Sequence, residues 1–326
     1  MKLQILVPHY KEKAFEMEPL LDSLALQQNI DFSEIGVIIA YDGDEANPLP
    51  EADWVMKYPF QIRHIHAEHN GVSATRNFAL DHATADYVMF CDADDMFCNV
   101  CGLFIVFQEI ERGFETFVSA FIEETRDQNR NPIYINHNMD STFVHGKVHR
   151  RKYLINNNIR FNPSLTIHED SYFNVLAQSL VSSQEQARFC PTPFYLWKWR
   201  DNSVCRHDKD YILKTYTNML DSNDALVNEF IDRNRIDKAK FYASAMILDS
   251  YYTMNKKEWL DKTNAEYREK VEKRFDAYYK SHKNLWDSLT EEEKVSLSSQ
   301  IRNRYVTEGM PMETITLNQW LSKFDN

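Results

Sequence analysis

Three aspartates within four residues, Asp92, Asp94 and Asp95, follow directly after the apolar run YVMFC at residues 87–91. Carboxylates this close repel one another, so stability alone would rarely place them at the edge of a core. A divalent cation would neutralise them, and carboxylate oxygens are ligands that Mg²⁺ and Mn²⁺ prefer. Such an ion can bridge phosphates, as nucleotide substrates require. The motif therefore predicts a Mg²⁺ or Mn²⁺ site. The competing interpretation is a polar turn before a helix near Asn99, which explains one aspartate rather than three.

A second acidic motif, the pair Glu169 and Asp170, lies at the start of a helical pattern of apolar residues. These residues recur at helical spacing: Phe173, Leu176, Ala177 and Leu180. Asp170 could simply cap the helix, but a carboxylate at that end is also kept ionised, as a general base must be. The pattern therefore makes Asp170 a candidate base.

Basic and aromatic residues supply further candidates. Arg76 falls in the first turns of a predicted helix, where anions are favoured, and is interpreted either as an anion contact or as a solvated residue. Lys147 and Arg150 belong to the basic cluster KVHRRK, which is either a solvated face or part of a site for an anionic acceptor. Trp197 and Trp199 occur at strand spacing in FYLWKW, so they are either buried or available to stack on a sugar ring.

The elements that must position these residues alternate between strand-like and helix-like patterns. Strands are predicted near residues 3–8, 35–44, 61–66 and 86–91, with helices near 16–28 and 71–84. This order predicts a mostly parallel α/β sheet flanked by helices. Ligands bind beyond the carboxyl ends of the strands in such sheets. The polar turns PHY, YDGD and DADD should therefore meet on one rim.

Composition excludes several classes of protein. With 43% hydrophobic residues and a formal net charge of −12, the chain is globular and lacks a broad electrostatic grip on nucleic acid. No signal segment and no apolar run of membrane-spanning length is apparent. The five cysteines include an isolated C-x-x-C without a partner pair for zinc, and are interpreted as reduced thiols. We expect a cytoplasmic protein, with peripheral attachment at the inner membrane face as an alternative.

Glycine and proline divide the chain. All but one of the seven glycines fall in the first half, and the last third reads as nearly unbroken helix. We predict a catalytic domain at residues 1–208 and a helical module at residues 209–326. Thr290 and Glu293 fit a capping box within that module. It carries no catalytic motif, and could gather the acceptor, pack on the catalytic domain or mediate oligomer formation.

Seven blocks resemble those of family 2 glycosyltransferases with the GT-A fold. In chain order they are ILVPHY, YDGD, GVSATRN, YVMFCDADDMF, HGKVHRRKYL, HED and YLWKWRDNSVCRH. The resemblance covers about residues 1–215. It implies a metal-dependent, inverting transfer of a sugar from a nucleoside diphosphate sugar, UDP-linked, to an acceptor hydroxyl.

The resemblance also implies roles on the nucleotide side of the site. Pro8 and Tyr10 would border the base, Asp42 would accept hydrogen bonds from it, and Arg76 would lie near the nucleotide. Tyr41 departs from the commoner D-D-G-S form of this block, which leaves one carboxylate fewer on the loop.

On the reacting side, Asp92 would contact the ribose or the waters of the metal, and Asp94 would coordinate the metal beneath the diphosphate. His207 resembles a late histidine that completes the metal shell. Asp170 would be the general base, and Glu169 beside it is a candidate contact to the acceptor.

Two other functions remain as alternatives. A phosphatase or phosphotransferase can also use D-x-D, but there the motif normally follows the first strand, and Met96 stands where Thr or Val is usual. A catalytically silent carbohydrate-binding protein on the same scaffold would not need both Asp94 and Asp170. The acceptor is open among a glycan, a teichoic-type polymer, a lipid carrier, a protein and a modified nucleotide.

Overall fold

The computed structural model describes residues 1–201, 213, 215–306 and 315–325. Its contacts group the chain into two compact units. The sheet unit comprises residues 1–164 and 169–203, and the helical unit comprises residues 165–168 and 204–326. The predicted domain boundary between residues 208 and 209 lies outside the described residues and stays a prediction.

The sheet unit begins with four parallel strands in the order β3-β2-β1-β4. These strands are β1 Leu3–His9, β2 Ile35–Asp42, β3 Gln61–Ala67 and β4 Tyr87–Phe90. The helices between them are α1 Ala14–Ala25, α2 Glu51–Lys57 and α3 Gly71–His82. Every residue of β2 and β4 is buried, which explains why these strands read as continuous apolar runs. The predicted parallel arrangement is confirmed for this half.

The second half of the sheet is mixed. Its elements are β5 Met96–Phe97, α4 Gly102–Arg112, β6 Thr116–Arg126, β7 Pro132–His137, β8 Lys147–Arg150, α5 Arg151–Asn156, α6 Glu169–Ser179 and β9 Ala187–Trp197. Strand β8 runs antiparallel between β4 and β6, while β9 pairs parallel with β6 and antiparallel with β5. Strand β7 forms a hairpin with β6. The pairing of β5 with β9 matters most for the site, because it carries residues 198–200 onto the aspartate turn.

The helical unit contains α7 Tyr216–Asp232, α8 Ile236–Asn255, α9 Lys257–Lys262, α10 Ala265–Asp287, α11 Glu291–Val306 and α12 Leu317–Leu321. Buried aromatic residues on several of these helices, including Trp259, Phe275 and Trp320, build a core of its own. Thr290 and Glu293 exchange the two hydrogen bonds of the predicted capping box, at 2.7 and 3.2 Å. Among the described residues, no helix has both the length and the apolarity needed to cross a membrane.

Candidate active site

Arg76 on α3 joins the two acidic motifs. Its guanidinium donates to Asp92 at 2.8 Å and to Glu169 at 3.0 Å, and it lies 5.2 Å from the ring centre of Phe161. Its side chain is only 5% exposed. Burial alone would lower the pKa of Arg76, but the surrounding carboxylates of Asp92, Glu169 and Asp170 raise it overall. Arg76 is therefore a fixed positive charge inside the site, and the solvated interpretation of this residue is wrong.

Asp95, the third acid of the motif, anchors the turn that carries it. Its carboxylate accepts a hydrogen bond from the Tyr195 hydroxyl at 2.7 Å and from the Lys198 amide at 2.9 Å. The Tyr195 hydroxyl in turn accepts the Asp92 amide at 3.1 Å. Burial, and then Asp94 and Asp92, raise the pKa of Asp95 well above its usual value. These bonds tie the aspartate turn to the end of β9.

One group of potential metal-ligand atoms is present among the described residues. Ligand atoms of Asp92, Asp95 and His145 all lie within 4.8 Å of one another. The His145 ring stacks on Tyr195 and on Trp197, with ring centres about 5 Å apart. Two carboxylates and one imidazole form a donor set that could hold a divalent metal ion.

Asp94 points to a cleft of about 350 Å³ whose lining includes Phe15, Lys198 and Trp199. Its carboxylate pairs with Arg200 at 2.9 Å, and its side chain is 17% exposed. Burial and then Asp92 raise the pKa of Asp94, although Arg200 opposes them. A carboxylate crowded by another acid favours a nearby cation, and Arg200 supplies one here. The role of Asp94 as a metal ligand stays a prediction. The other predicted ligand, His207, lies outside the described residues.

Asp170 lies in the first turn of α6 rather than at its cap. The helix begins at Glu169, two residues earlier than a cap at Asp170 requires. The preceding His168 has φ +66°, a left-handed conformation that is uncommon for a side-chain-bearing residue. Burial, and then the neighbouring Glu169, raise the pKa of Asp170 to about 7, against the opposing charge of Arg76. A carboxylate with this pKa can accept a proton near neutral pH.

Asp42 caps α3. Its Oδ1 accepts the amides of Asn70 at 3.0 Å and Gly71 at 3.3 Å, and its Oδ2 lies 3.1 Å from Nδ1 of His69. Gly43 follows with φ +85°, and a Cβ there would lie 2.6 Å from the His69 Cβ. Asp42, which is predicted to contact the nucleotide base, thus already has three polar partners within the protein.

Tyr10 and Pro8 lie at the same edge of the sheet as Asp42. Tyr10 stacks on His69 with ring centres 4.9 Å apart, and Pro8 is paired in register with Ala40. The His69 side chain is 56% exposed, so this stacked pair faces solvent at the rim.

The predicted acceptor residues separate in the structure. Lys147 is buried, not part of a solvated basic face, and its ammonium lies 3.4 Å from the His145 carbonyl. Burial lowers the pKa of Lys147 to about 8, against the opposing effect of Asp140 and Asp170. Arg150 is half exposed at the other end of β8, beside the first residue of β4, and pairs with Glu115. The structure thus brings Lys147 toward Asp170 and leaves Arg150 away from it.

The two predicted acceptor tryptophans, Trp197 and Trp199, have different neighbours. Trp197 packs against Phe143 and His145, with ring centres 5.2 and 5.0 Å apart. The Trp199 ring lies under the Arg126 guanidinium at 5.5 Å and contributes to the cleft beside Asp94.

Four residues of the site had no role predicted from the sequence: Glu12, His145, Tyr195 and Arg200. His145 and Tyr195 begin two of the seven blocks that carry the family resemblance, HGKVHRRKYL and YLWKWRDNSVCRH, which is a signal that could have pointed to them. Arg200 lies within the second of these blocks, whereas Glu12 carried no such signal, since charged loop residues are usually solvated.

The family to which the chain belongs follows from a family model. The model "Glycosyl transferase family 2" matches residues 4–167, half of the chain. The chain belongs to glycosyl transferase family 2. This confirms the family and the transferase class predicted from the motif order.

Curated relatives match over a part of their length. The minor teichoic acid biosynthesis protein GgaB of Bacillus subtilis is 27% identical over 219 residues, which cover 61% of this chain and 23% of GgaB. An uncharacterized glycosyltransferase of Rickettsia felis is 26% identical over 96 residues, covering 29% of this chain and 15% of the relative. The chain thus spans about a quarter or less of these relatives.

Solved structures share the fold. Residues 1–349 of S. aureus TarS superpose with a TM-score of 0.65 at 15% identity, covering 94% of this chain and 92% of that one. A longer TarS structure gives a TM-score of 0.61 and covers 54% of that chain. The likeness confirms the predicted α/β GT-A-like fold with a C-terminal helical region.

Proposed function

We propose that this chain transfers a sugar from a nucleoside diphosphate sugar to an acceptor hydroxyl, with inversion at the anomeric carbon. The observation that carries the proposal is the bridge made by Arg76 between Asp92 and Glu169. The bridge connects the turn after β4, where a donor would bind, with the acidic pair that contains the candidate base. Two acidic residues 77 positions apart in the sequence would therefore act on one reaction centre.

The donor side supports a bound divalent cation. Asp94 would hold Mn²⁺ or Mg²⁺, Asp92 would contact its waters or the ribose, and His207 is proposed to complete the shell. When bound, such an ion would neutralise the charge of the departing diphosphate. Asp95 is the less suitable ligand of the turn, because its oxygens already accept from Tyr195 and Lys198.

The acceptor side supports Asp170 as the general base. The acceptor oxygen forms its bond to the anomeric carbon while the bond from that carbon to the diphosphate oxygen breaks. Asp170 takes the acceptor proton, and the nucleoside diphosphate leaves from the opposite face. A pKa of about 7 balances the fraction of ionised base against its strength. Glu169 raises that pKa, and Arg76 keeps both acids from repelling the donor.

We propose UDP as the nucleotide. TarS, which shares this fold, has been solved with UDP and with UDP-GlcNAc. In this chain the stacked Tyr10 and His69 at the rim, with Pro8 and Asp42, would border the uracil. Asp42 would cap α3 and would also accept a hydrogen bond from the uracil through a lone pair that its partners within the protein leave unused.

The acceptor that we favour is a hydroxyl on an anionic, teichoic-type polymer. GgaB is named for minor teichoic acid biosynthesis, and the carboxylate of Asp170 lies close enough to the Lys147 ammonium to oppose the lowering of the Lys147 pKa by burial. Trp197, Trp199, Arg150 and Glu169 stay predictions as acceptor contacts. A cytoplasmic or peripheral location, and oligomer formation through the helical unit, also stay predictions.

The proposal can be tested with a panel of nucleotide sugars. Thermal shift and slow hydrolysis would be measured with Mn²⁺ and with EDTA, using wild type and Asp94→Asn. We expect a UDP-sugar to raise the melting temperature and to be hydrolysed only by wild type with Mn²⁺. Binding of sugars without any donor hydrolysis would favour the silent carbohydrate-binding alternative. Release of inorganic phosphate from simple phosphomonoesters would favour the phosphatase.

A further inference from the structure

Arg200 lies beside Asp94, the carboxylate proposed above as a metal ligand. Its Nη1 lies 2.9 Å from Oδ2 of Asp94 and 3.5 Å from Oε1 of Glu12. The Asp94 and Glu12 side chains are 17% and 18% exposed, and that of Arg200 is 36% exposed. One guanidinium thus neutralises two largely covered carboxylates at the mouth of the cleft.

The two arginines of the site differ in how firmly they are held. Arg76 is almost completely buried and its guanidinium is fixed between Asp92 and Glu169. Arg200 lies at the cleft surface, on the segment that follows β9, and is several times more exposed. Moving Arg76 away from Asp92 would leave a buried guanidinium without that partner, whereas the guanidinium of Arg200 is already partly exposed to solvent. Arg200 is therefore the arginine that can change partners.

Glu12 supplies an anchor that does not depend on Arg200. Its carboxylate accepts the Tyr10 amide at 3.0 Å and lies 3.3 Å from Nδ1 of the buried His9. Burial acts to raise the pKa of Glu12, but the bonds to His9 and Tyr10 lower it to about 2. Glu12 consequently keeps its charge when Arg200 turns away from Asp94, and the guanidinium can stay near Glu12 while it takes a new partner.

We propose that Arg200 is the resident counter-ion of Asp94, that a divalent cation displaces it, and that the displaced guanidinium then binds the donor diphosphate. This inference rests on the proposed function. A cation and a guanidinium repel each other across a shared carboxylate, so metal alone binds weakly. The fork of a guanidinium matches phosphate oxygens, so a nucleoside diphosphate gives Arg200 a replacement partner. Metal and donor therefore each favour binding of the other.

The test is a titration of Mn²⁺ by electron paramagnetic resonance, without nucleotide and with saturating UDP, on the full chain. We expect Arg200→Gln to bind Mn²⁺ about tenfold more tightly without UDP, and to bind UDP about tenfold more weakly by calorimetry. The factor by which UDP increases Mn²⁺ affinity should also shrink. Arg200→Lys keeps the charge and should restore the weak Mn²⁺ binding, but not the UDP affinity.

The matched control is Arg130→Gln. Arg130 also pairs with one aspartate, Asp201 at 3.1 Å, but both side chains are highly exposed. This variant should titrate as wild type does. Unchanged Mn²⁺ affinity in Arg200→Gln, or an unchanged effect of UDP on it, would overturn the role of Arg200.

Asp94→Asn separates this inference from the function on which it rests. If Asp94→Asn loses Mn²⁺ binding while Arg200→Gln behaves as wild type, the Arg200 inference fails and the proposed metal site stands. If Asp94→Asn binds Mn²⁺ as wild type does, Asp94 is not the metal ligand. The Arg200 inference and the proposed metal site then both fail.

Discussion

The Arg76 guanidinium on α3 lies 2.8 Å from the carboxylate of Asp92 at the end of β4. The same guanidinium reaches Glu169 at 3.0 Å, so one buried cation holds the aspartate turn and the start of α6 together. A buried arginine with two carboxylates has the fork geometry that lysine lacks. The arrangement makes Arg76 the residue on which both halves of the proposed site depend.

Replacing Arg76 should therefore cost stability as well as activity. Arg76→Met leaves Asp92 and Glu169 without their shared partner, and removing one member of a buried ion pair costs about 3–5 kcal/mol. Arg76→Lys should recover only part of that loss, because an ammonium cannot address both acids with the same geometry. Urea unfolding measures the change. The control Arg160→Met breaks a more exposed pair with Asp81 and should cost about 1 kcal/mol or less.

Asp94→Asn should lower transfer by about a hundredfold or more, since it removes an ionic ligand while keeping the shape. EDTA should reduce wild type to a similar level, and Mn²⁺ or Mg²⁺ should restore it. Initial rates with a UDP-sugar provide the measurement. Asp53→Asn, on the exposed face of α2, should behave as wild type. Full wild-type activity in EDTA would remove the metal from the proposal.

The pH dependence of kcat/KM should follow the titration of the Asp170 carboxyl group. A base with a pKa of about 7 is mostly protonated at pH 6 and mostly ionised at pH 8, so kcat/KM should rise about tenfold per pH unit below 7 and then level off. Asp170→Asn should lower transfer by about two to four orders of magnitude while the Kd for UDP changes little. A flat profile from pH 5 to 8 would direct the search for a base to Glu169 or His168.

The free energy of unfolding should depend on the same titration of Asp170, but with the opposite trend. Stability should fall as the pH rises, whereas kcat/KM should increase. The folded pKa of Asp170 is raised, so the folded state holds this proton more tightly than the unfolded state does. The resulting stabilisation is full below the ordinary aspartate pKa near 4 and is lost as the pH rises through about 7. Asp170→Asn should therefore melt at or above the wild-type temperature at pH 8, as calorimetry would show.

Stereochemistry tests the single displacement. With one base and departure of the nucleoside diphosphate from the opposite face, an α-linked donor should give a β-linked product. NMR coupling constants of the anomeric proton distinguish the two outcomes. Retention of configuration would require a second displacement and a nucleophile other than Asp170.

Asp249 should be essential to the helical unit. This buried carboxylate on α8 accepts the hydroxyls of Tyr216 at 2.9 Å and Tyr305 at 2.5 Å. Asp249→Leu would remove the shared acceptor of both hydroxyls, which keep Ser250 and Thr253 as second partners, so the loss should be about 1–3 kcal/mol in total. Urea unfolding should show the loss, while Asp276→Ala, in an exposed pair with Lys280, should change stability by about 0.5 kcal/mol or less. Equal effects of the two variants would contradict this assignment.

The sequence by itself determined the family, the parallel first half of the sheet and the edge at which the acids gather. These features depend on short-range patterns: apolar runs, turn residues, and the rule that parallel strands end on one rim. The capping box of Thr290 and Glu293 is equally local and was equally readable.

Only the tertiary structure decided which charges neutralise one another. Arg76 and Glu169 are 93 residues apart, and Arg200 reaches Asp94 because β9 pairs with β5 in the register Met96 to Leu196. The burial of Lys147 likewise depends on β8 lying between β4 and β6. Strand order and register arise from packing over the whole chain, and a one-residue slip would send each side chain to the other face. No local pattern specifies them, so a lysine or arginine that reads as a solvated surface charge can become the buried partner of an active-site acid.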